Sequence, residues 1–306
     1  MKQIISIFLI IGIATTTAFS QQIPLYTQYN INGFTINPAY AGSKDIYEIR
    51  SSYRTQWTDF PTAPKTYVAS ATTGFKRAGF GILAFNDESG SISRTGFLGA
   101  YAYHIPLFLD YKMSIGISMK YLQYRLSSKD IEDKLTLDNA IISAVNGRGR
   151  FDGTLGFYFY NKNLYFGLSA PNLIQTKFEE DGVSGSQLSD VTRHYFGLLG
   201  YDLEWNGINI EPSILVRQVQ AAPFQLEMNL KIWFLDKQMM IGSSYRTSEK
   251  TVVGLLGFAM DSFRFFYSYD LSYNNLANYH GGSHEFTIGF DIKKSNKKNG
   301  VKIKKR

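Results

Sequence analysis

Cysteine is absent from the 306-residue chain. That absence excludes disulfides, thiolate metal sites and thiol nucleophiles. Histidine is scarce as well, with only His104, His194, His280 and His284. A metal centre would therefore need carboxylates brought together by the fold alone, and no metal site or cofactor is expected. Charged side chains make up just 19% of the chain. Beyond the N-terminus, no run approaches the roughly 20 apolar residues that a spanning helix requires, which excludes a helical membrane protein. Disorder is excluded by what is abundant: aromatics reach 15%, with 23 Phe and 21 Tyr. Together with 27 glycines, they suit pleated surfaces and tight turns better than helices. A chain this aromatic and this weakly charged must expose apolar surface to something other than water.

Residues 1–20 contain Lys2, an apolar stretch from Ile4 to Ala14, and small Ala18 and Ser20 ahead of Gln21. This is the pattern of a cleaved secretory signal peptide. At the other end, 293–306 carry eight cations and no acid, more than the whole net charge of +7. The body of the chain is thus close to neutral, and the basic character belongs to a tail. A basic tail on a neutral exported body does not predict nucleic-acid binding. Acidic partners or lipid head groups fit it better.

Between these ends, strict period-2 alternation recurs. In the segment Phe224–Phe234, Phe224, Leu226, Met228, Leu230, Ile232 and Phe234 alternate with Gln225, Glu227, Asn229, Lys231 and Trp233. One template applied throughout predicts strands near 45–57, 66–76, 79–86, 95–105, 111–124, 151–160, 164–170, 193–205, 208–217, 223–234, 239–247, 250–260, 262–273 and 284–293. Each is close to the ~9–11 residues of a tilted transmembrane strand. The apolar phase carries no charge within its core, as a lipid-facing surface demands. The predicted fold class is all-β: a transmembrane antiparallel β-barrel of about 14 strands, with 12 or 16 as alternatives. A secreted sandwich or jelly roll is the competing architecture, because 250–260 and 262–273 are apolar on both phases in places.

The connections provide a second test. Short gaps such as Arg77-Ala78 and Asn206-Gly207 fall on one parity, and the long ones, 125–150, 171–192 and 274–283, on the other. Asn-Gly is a favoured hairpin pair. Short inner turns with longer outer loops are the outer-membrane barrel pattern. Trp57 is then expected at the outer rim, and Trp205, Tyr101, Tyr103 and Tyr111 in the inner aromatic girdle. Pro212 falls within a strand and predicts a bulge. The expected organisation is a signal peptide at 1–20, an N-terminal periplasmic segment at 21–44 leading into the barrel, the barrel at 45–293, and a basic periplasmic tail at 294–306.

The sequence offers no catalytic constellation. Neither a Gly-x-Ser-x-Gly elbow nor a phosphate-cradling loop is present. His284 and Glu285 are the one acid–base neighbour pair near a rim, yet adjacent strand residues point to opposite faces. Inward-phase charges of both signs, among them Arg50, Arg54, Lys231, Arg246, Glu48, Glu227, Asp270 and Glu285, predict ion-pair networks within a filled or narrow lumen. A wide selective pore would show one dominant sign.

Several ordered motifs resemble the PorP/SprF family of type IX secretion system outer-membrane proteins. In the first half they are Gln28-Tyr29, Asn37-Pro38-Ala39-Tyr40-Ala41-Gly42, Arg54-x-Gln56-Trp57 and Ala63-Pro64-x-Thr66. In the second half, Tyr245-Arg246, Tyr267-x-x-Asp270 and Gly282-Ser283-His284-Glu285 continue the match. The resemblance implies a non-enzymatic barrel in the outer membrane of a Gram-negative bacterium, surrounded by outer-membrane lipid. Its implied partners are the periplasmic and outer-membrane components of the secretion machine. A secreted adhesin-like protein with a type IX C-terminal signal domain, used in gliding or adhesion, completes the set. A porin-like diffusion channel is the alternative. The turn formers in Asn37–Gly42 fit either a segment folded at or into the inner mouth or a plain capping turn.

Overall fold

The computed structural model describes residues 27–126, 148–174, 193–219, 224–274 and 280–294. Residues 1–26, with the expected signal peptide, most of the long connections and most of the basic tail lie outside the described residues. Strands run in chain order as β1 Ile46–Thr55, β2 Lys65–Phe75, β3 Ala78–Ser89, β4 Ile92–Pro106 and β5 Lys112–Leu126. They continue as β6 Arg148–Tyr160, β7 Leu164–Pro171, β8 His194–Tyr201, β9 Leu203–Trp205 and β10 Ile208–Val219. The last five are β11 Gln225–Phe234, β12 Met239–Arg246, β13 Thr251–Met260, β14 Phe263–Ser272 and β15 Ser283–Lys293. All pair antiparallel, neighbour to neighbour, and β15 pairs with β1 from Ile46↔Lys293 to Thr55↔His284. The sheet therefore closes on itself. Since β8 and β9 are two pieces of one span, the barrel has fourteen spans.

The interruption between β8 and β9 lies opposite Pro212, and it differs from the expected bulge. Gly200 pairs with Ser213 and Leu203 with Ile210, so both sides of the break keep one register and no residue is inserted. On its other flank Pro212 stays paired with Leu230. A proline has no N–H to donate, and the ladder opens at Asp202 without slipping.

The alternation resolves into two surfaces. On β5, Ile115, Ile117 and Met119 are exposed, whereas Ser114 and Ser118 are buried. On β15, Phe286, Ile288, Phe290 and Ile292 are exposed, and Ser283, Glu285 and Thr287 are buried. The outward phase is apolar, and the inward phase carries most of the buried polar and charged side chains. A continuous apolar girdle of this extent is stable only against hydrocarbon. Trp57 lies at the end holding the long connections (the loop end), and Trp205, Tyr101 and Tyr103 lie at the opposite, turn end. Asn206 and Gly207 both have positive φ, 50° and 79°, as a hairpin with that pair requires.

Strands β12 to β14 resolve their apolar double phase without a sandwich. Leu256, Phe258 and Met260 face out, and Met240, Val253, Leu255 and Phe266 form a buried cluster within the barrel. Ile31, from the chain ahead of β1, packs on that cluster.

Candidate functional site

The lumen is occupied by the chain's own N-terminal segment. Three short 3-10 turns, Thr27–Asn30, Gly33–Thr35 and Pro38–Tyr40, precede β1. Asn37 caps the third: its Oδ1 accepts the Ala39 N–H at 2.9 Å, and Pro38 supplies the fixed φ favoured at a first helical position. The Asn37 amide also reaches the wall, donating to the carbonyls of Phe157 at 2.9 Å and Leu168 at 3.3 Å. Further bonds tie the segment around the circumference. Asn32 donates to Ser70 Oγ and Asn30 to Asn229 Oδ1, each at 2.8 Å. Lys231 donates to the Asn30 carbonyl at 2.7 Å, and Ser169 to that of Ile36 at 2.6 Å. His104 Nε2 lies 2.9 Å from the Ala41 carbonyl, and its Nδ1 2.9 Å from the Tyr160 hydroxyl.

The wall is shaped to receive this segment. Where it lies closest, the inward positions are glycines: Gly79 against the Ala41 carbonyl, Gly81 against the Phe34 ring, Gly116 against Ala39, and Gly156 against Asn37. A Cβ at any of the four would sit well inside van der Waals contact. Glycine within a strand is costly unless another backbone approaches closely, and here one does. Gly42, with φ +73°, turns the chain out of the lumen against Gly74 and Gly79. Apolar side chains complete the seat. Phe34 is buried with Val68, Leu83 and Ala102, and Tyr29 with Phe196 and Leu215.

Opposite the glycine track, charges satisfy one another. Towards the loop end, Arg54 bridges Asp270 at 2.7 Å and Glu285 at 3.2 Å. Arg246 joins the same Asp270 at 2.8 Å and Glu227 at 3.1 Å. Towards the turn end, Arg50 and Arg264 share Asp291, and Lys231 pairs with Glu211 at 2.8 Å. Both signs are present and paired, as the sequence predicts for a filled lumen.

The quoted motif residues thus fall into distinct places. Asn37, Pro38, Ala39, Tyr40, Ala41 and Gly42 form the lumenal segment. Arg54 and Glu285, from the first and last strands, meet in one ion network. Thr66 faces inward and donates to Asp87 at 2.6 Å. Gln56, Trp57, Ala63 and Pro64 belong to the β1–β2 connection, where the Gln56 N–H donates to the Pro64 carbonyl at 2.9 Å. His284 projects away from Glu285, with Nδ1 2.8 Å from the Tyr267 hydroxyl. Among the described residues, no three His, Asp or Glu converge to hold a metal ion. Sequence reasoning missed Asn30, Asn32, His104, Ser169 and the four glycines; inward-phase glycine was the available signal.

The segment divides the lumen. On the turn-end side lies a cavity of about 700 Å³, bounded by Tyr40, Tyr158, Tyr165, Arg50 and Lys231. A smaller one of about 110 Å³ lies on the loop-end side, bounded by Phe34, Leu83, Leu98 and Phe196. Beside Asn37 and Tyr40, between segment and wall, only about 10 Å³ is left, the room of a single water.

Comparison with known proteins bears on the whole chain. The sequence model of the family described as type IX secretion system membrane protein PorP/SprF matches residues 18–290. No curated protein matches the sequence. The fold resembles the Ralstonia pickettii toluene transporter TbuX, with a TM-score of 0.53, 7% identity, and 86% of this chain and 93% of that one covered. It also resembles the deltaS2S3 mutant of the monoaromatic hydrocarbon channel TodX, with a TM-score of 0.50, 10% identity, and 84% and 93% covered. At such identities the likeness shows the barrel fold alone.

Proposed function

The chain belongs to the PorP/SprF family of type IX secretion system membrane proteins, and on that premise we propose that it works as a sealed docking barrel. In this reading it holds a secreted adhesin-like protein, through that protein's C-terminal signal domain, at its loop end. At its turn end it meets periplasmic and outer-membrane components of the machine. It performs no chemistry of its own, and residues 1–20 are removed on export. The observation that carries the reading is the occupied lumen: a barrel whose interior is bonded to its own N-terminal segment has little room for solute flow. The basic tail, which starts at the turn end where Lys294 pairs with Asp45 at 2.8 Å, fits a contact with the machine.

Affinity purification of the barrel from its native membrane tests this reading. A co-purifying surface protein with a type IX signal domain, together with machine components, is expected. Planar-bilayer recording tests the rival channel reading. Silence of the intact protein is expected, and steady conductance would favour a porin.

A further inference from the structure

We propose that the β4–β5 turn, at the turn end, is a docking tip for a periplasmic protein that offers an apolar cleft edged by carboxylates. The inference rests on the docking reading and gives its turn-end contact a place and a chemistry.

Leu107-Phe108-Leu109 is the one apolar run among the described turns of this end, and Phe108 and Leu109 are 70% and 81% exposed. A consecutive run of bare apolar side chains is a fault in a surface unless it serves a function. The hairpin also outreaches its neighbours. Strands β2 and β3 turn back at Lys76-Arg77, where Ala78 pairs with Tyr103 of β4. Strands β6 and β7 turn just beyond Tyr160, which pairs with Lys112. Pro106 is ~10 Å further along its strand than Tyr103, and the tip lies past Pro106. Tyr103 belongs to the aromatic girdle at head-group level, so the tip stands clear of the hydrocarbon.

The tip is held in one shape. The Leu107 N–H donates to the Tyr111 carbonyl at 2.8 Å, and the Tyr111 N–H to that of Phe108 at 3.0 Å. The Tyr111 ring is flanked by those of Phe108 and Phe159, with centroids 6.0 and 5.1 Å away. A rigid aromatic tip gives up little freedom on docking. Cations surround it. Lys76, Arg77, Lys112 and Lys162 are exposed, and none joins an ion pair among the described residues. Asp110 is the lone acid in the tip and the two turns beside it. The Arg77 carbonyl accepts the His104 N–H at 2.7 Å, which holds that turn against β4. Lys112 and Lys162 border the turn-end cavity together with Asp110. The complement of an apolar tip ringed by cations is an apolar cleft ringed by acids.

The test places the photo-crosslinker p-benzoylphenylalanine at position 109 of the full-length protein in its native cells, with products identified by mass spectrometry. A crosslink to a periplasmic component of the machine, on a peptide bearing Asp or Glu, is expected. The crosslinker at Leu235, exposed on the β11–β12 turn, is the control and is expected to give far less of that product. Equal yield from both positions would overturn the proposal. Adducts to phospholipid alone would place the tip in the leaflet and overturn it too. Leu109→Asn separates docking from folding. Leu109 has φ +52°, a conformation uncommon for leucine and favoured by asparagine. The variant barrel is therefore expected to melt no lower than the parent. The machine component that it brings down on purification is expected to fall about tenfold or more, as loss of an interface anchor does. Lys112→Glu is expected to weaken the same capture and to reduce its dependence on salt. Undiminished capture by a folded Leu109→Asn barrel overturns the inference and leaves the docking reading standing. If the parent barrel captures no machine component, the docking reading itself fails and the inference falls with it.

Discussion

Gly116 and Gly156 look like weak points in their strands until the chain opposite them is considered. Each gives up side-chain contacts on the wall, Gly116 to the Ala39 backbone and Gly156 to the Asn37 side chain. Gly156→Val is therefore expected to push the segment off its seat and destabilise the folded barrel by about 1–3 kcal/mol, the usual cost of overpacking. Denaturant unfolding followed by tryptophan fluorescence checks this. Gly99, whose added Cβ would meet nothing, is the matched control and is expected to tolerate alanine. Arg54 acts differently, since one guanidinium serves Asp270 and Glu285 at once. Arg54→Ala leaves two buried carboxylates short of a cation, and about 3–5 kcal/mol of stability is expected to be lost. Lysine is expected to restore only part of it, because an ammonium lacks the fork that reaches both.

At the scale of elements, the lumenal segment and the spans make separate contributions. Deleting residues 27–41 is expected to lower the stability of the barrel, since the glycine track loses what it packs against, while still allowing the fourteen spans to fold, because no strand begins before Ile46. It would join the turn-end and loop-end cavities. A protein silent in planar bilayers is then expected to conduct, and continued silence of a correctly inserted deletion would show that the segment is not the barrier. The spans were legible in the sequence because a lipid-facing wall imposes period 2 on every strand. All fourteen predicted ranges overlap an observed span. The segment was only half legible: the turn formers of Asn37–Gly42 fitted a segment folded at or into the inner mouth as well as a plain capping turn, and nothing decided between them, because residues 27–42 follow the lumen surface and carry no periodicity of their own. Their polar bonds to Ser70, Asn229 and Phe157 join positions far apart in the chain. Pro212 was half legible: the missing donor was foreseen, but its effect is a gap at Asp202 rather than an inserted residue. The pairing of Arg54 with Glu285 was similarly hidden, since only barrel closure brings the first strand beside the last.

For the whole molecule, the sequence and the fold agree on a body that keeps its polar groups inside and its apolar groups outside. The purified protein is expected to need detergent or lipid to stay in solution, and partition into the aqueous phase on extraction would contradict the membrane assignment. Zero cysteines in an exported chain make single-cysteine labelling clean. A cysteine at Thr35, on the lumenal segment and bordering the loop-end cavity, is expected to resist a bulky maleimide in intact cells. One at Phe60, exposed on the β1–β2 connection, is expected to react.

The glycine track also ties two fates together. Each of those four positions has traded its own side chain for contact with residues 34–41, so the wall is incomplete without what it encloses, and what it encloses has no structure to keep on its own. Heating should then produce one transition, with a reporter on residue 35 and the circular dichroism of the sheet changing at the same temperature. Stopper and vessel form a single cooperative unit.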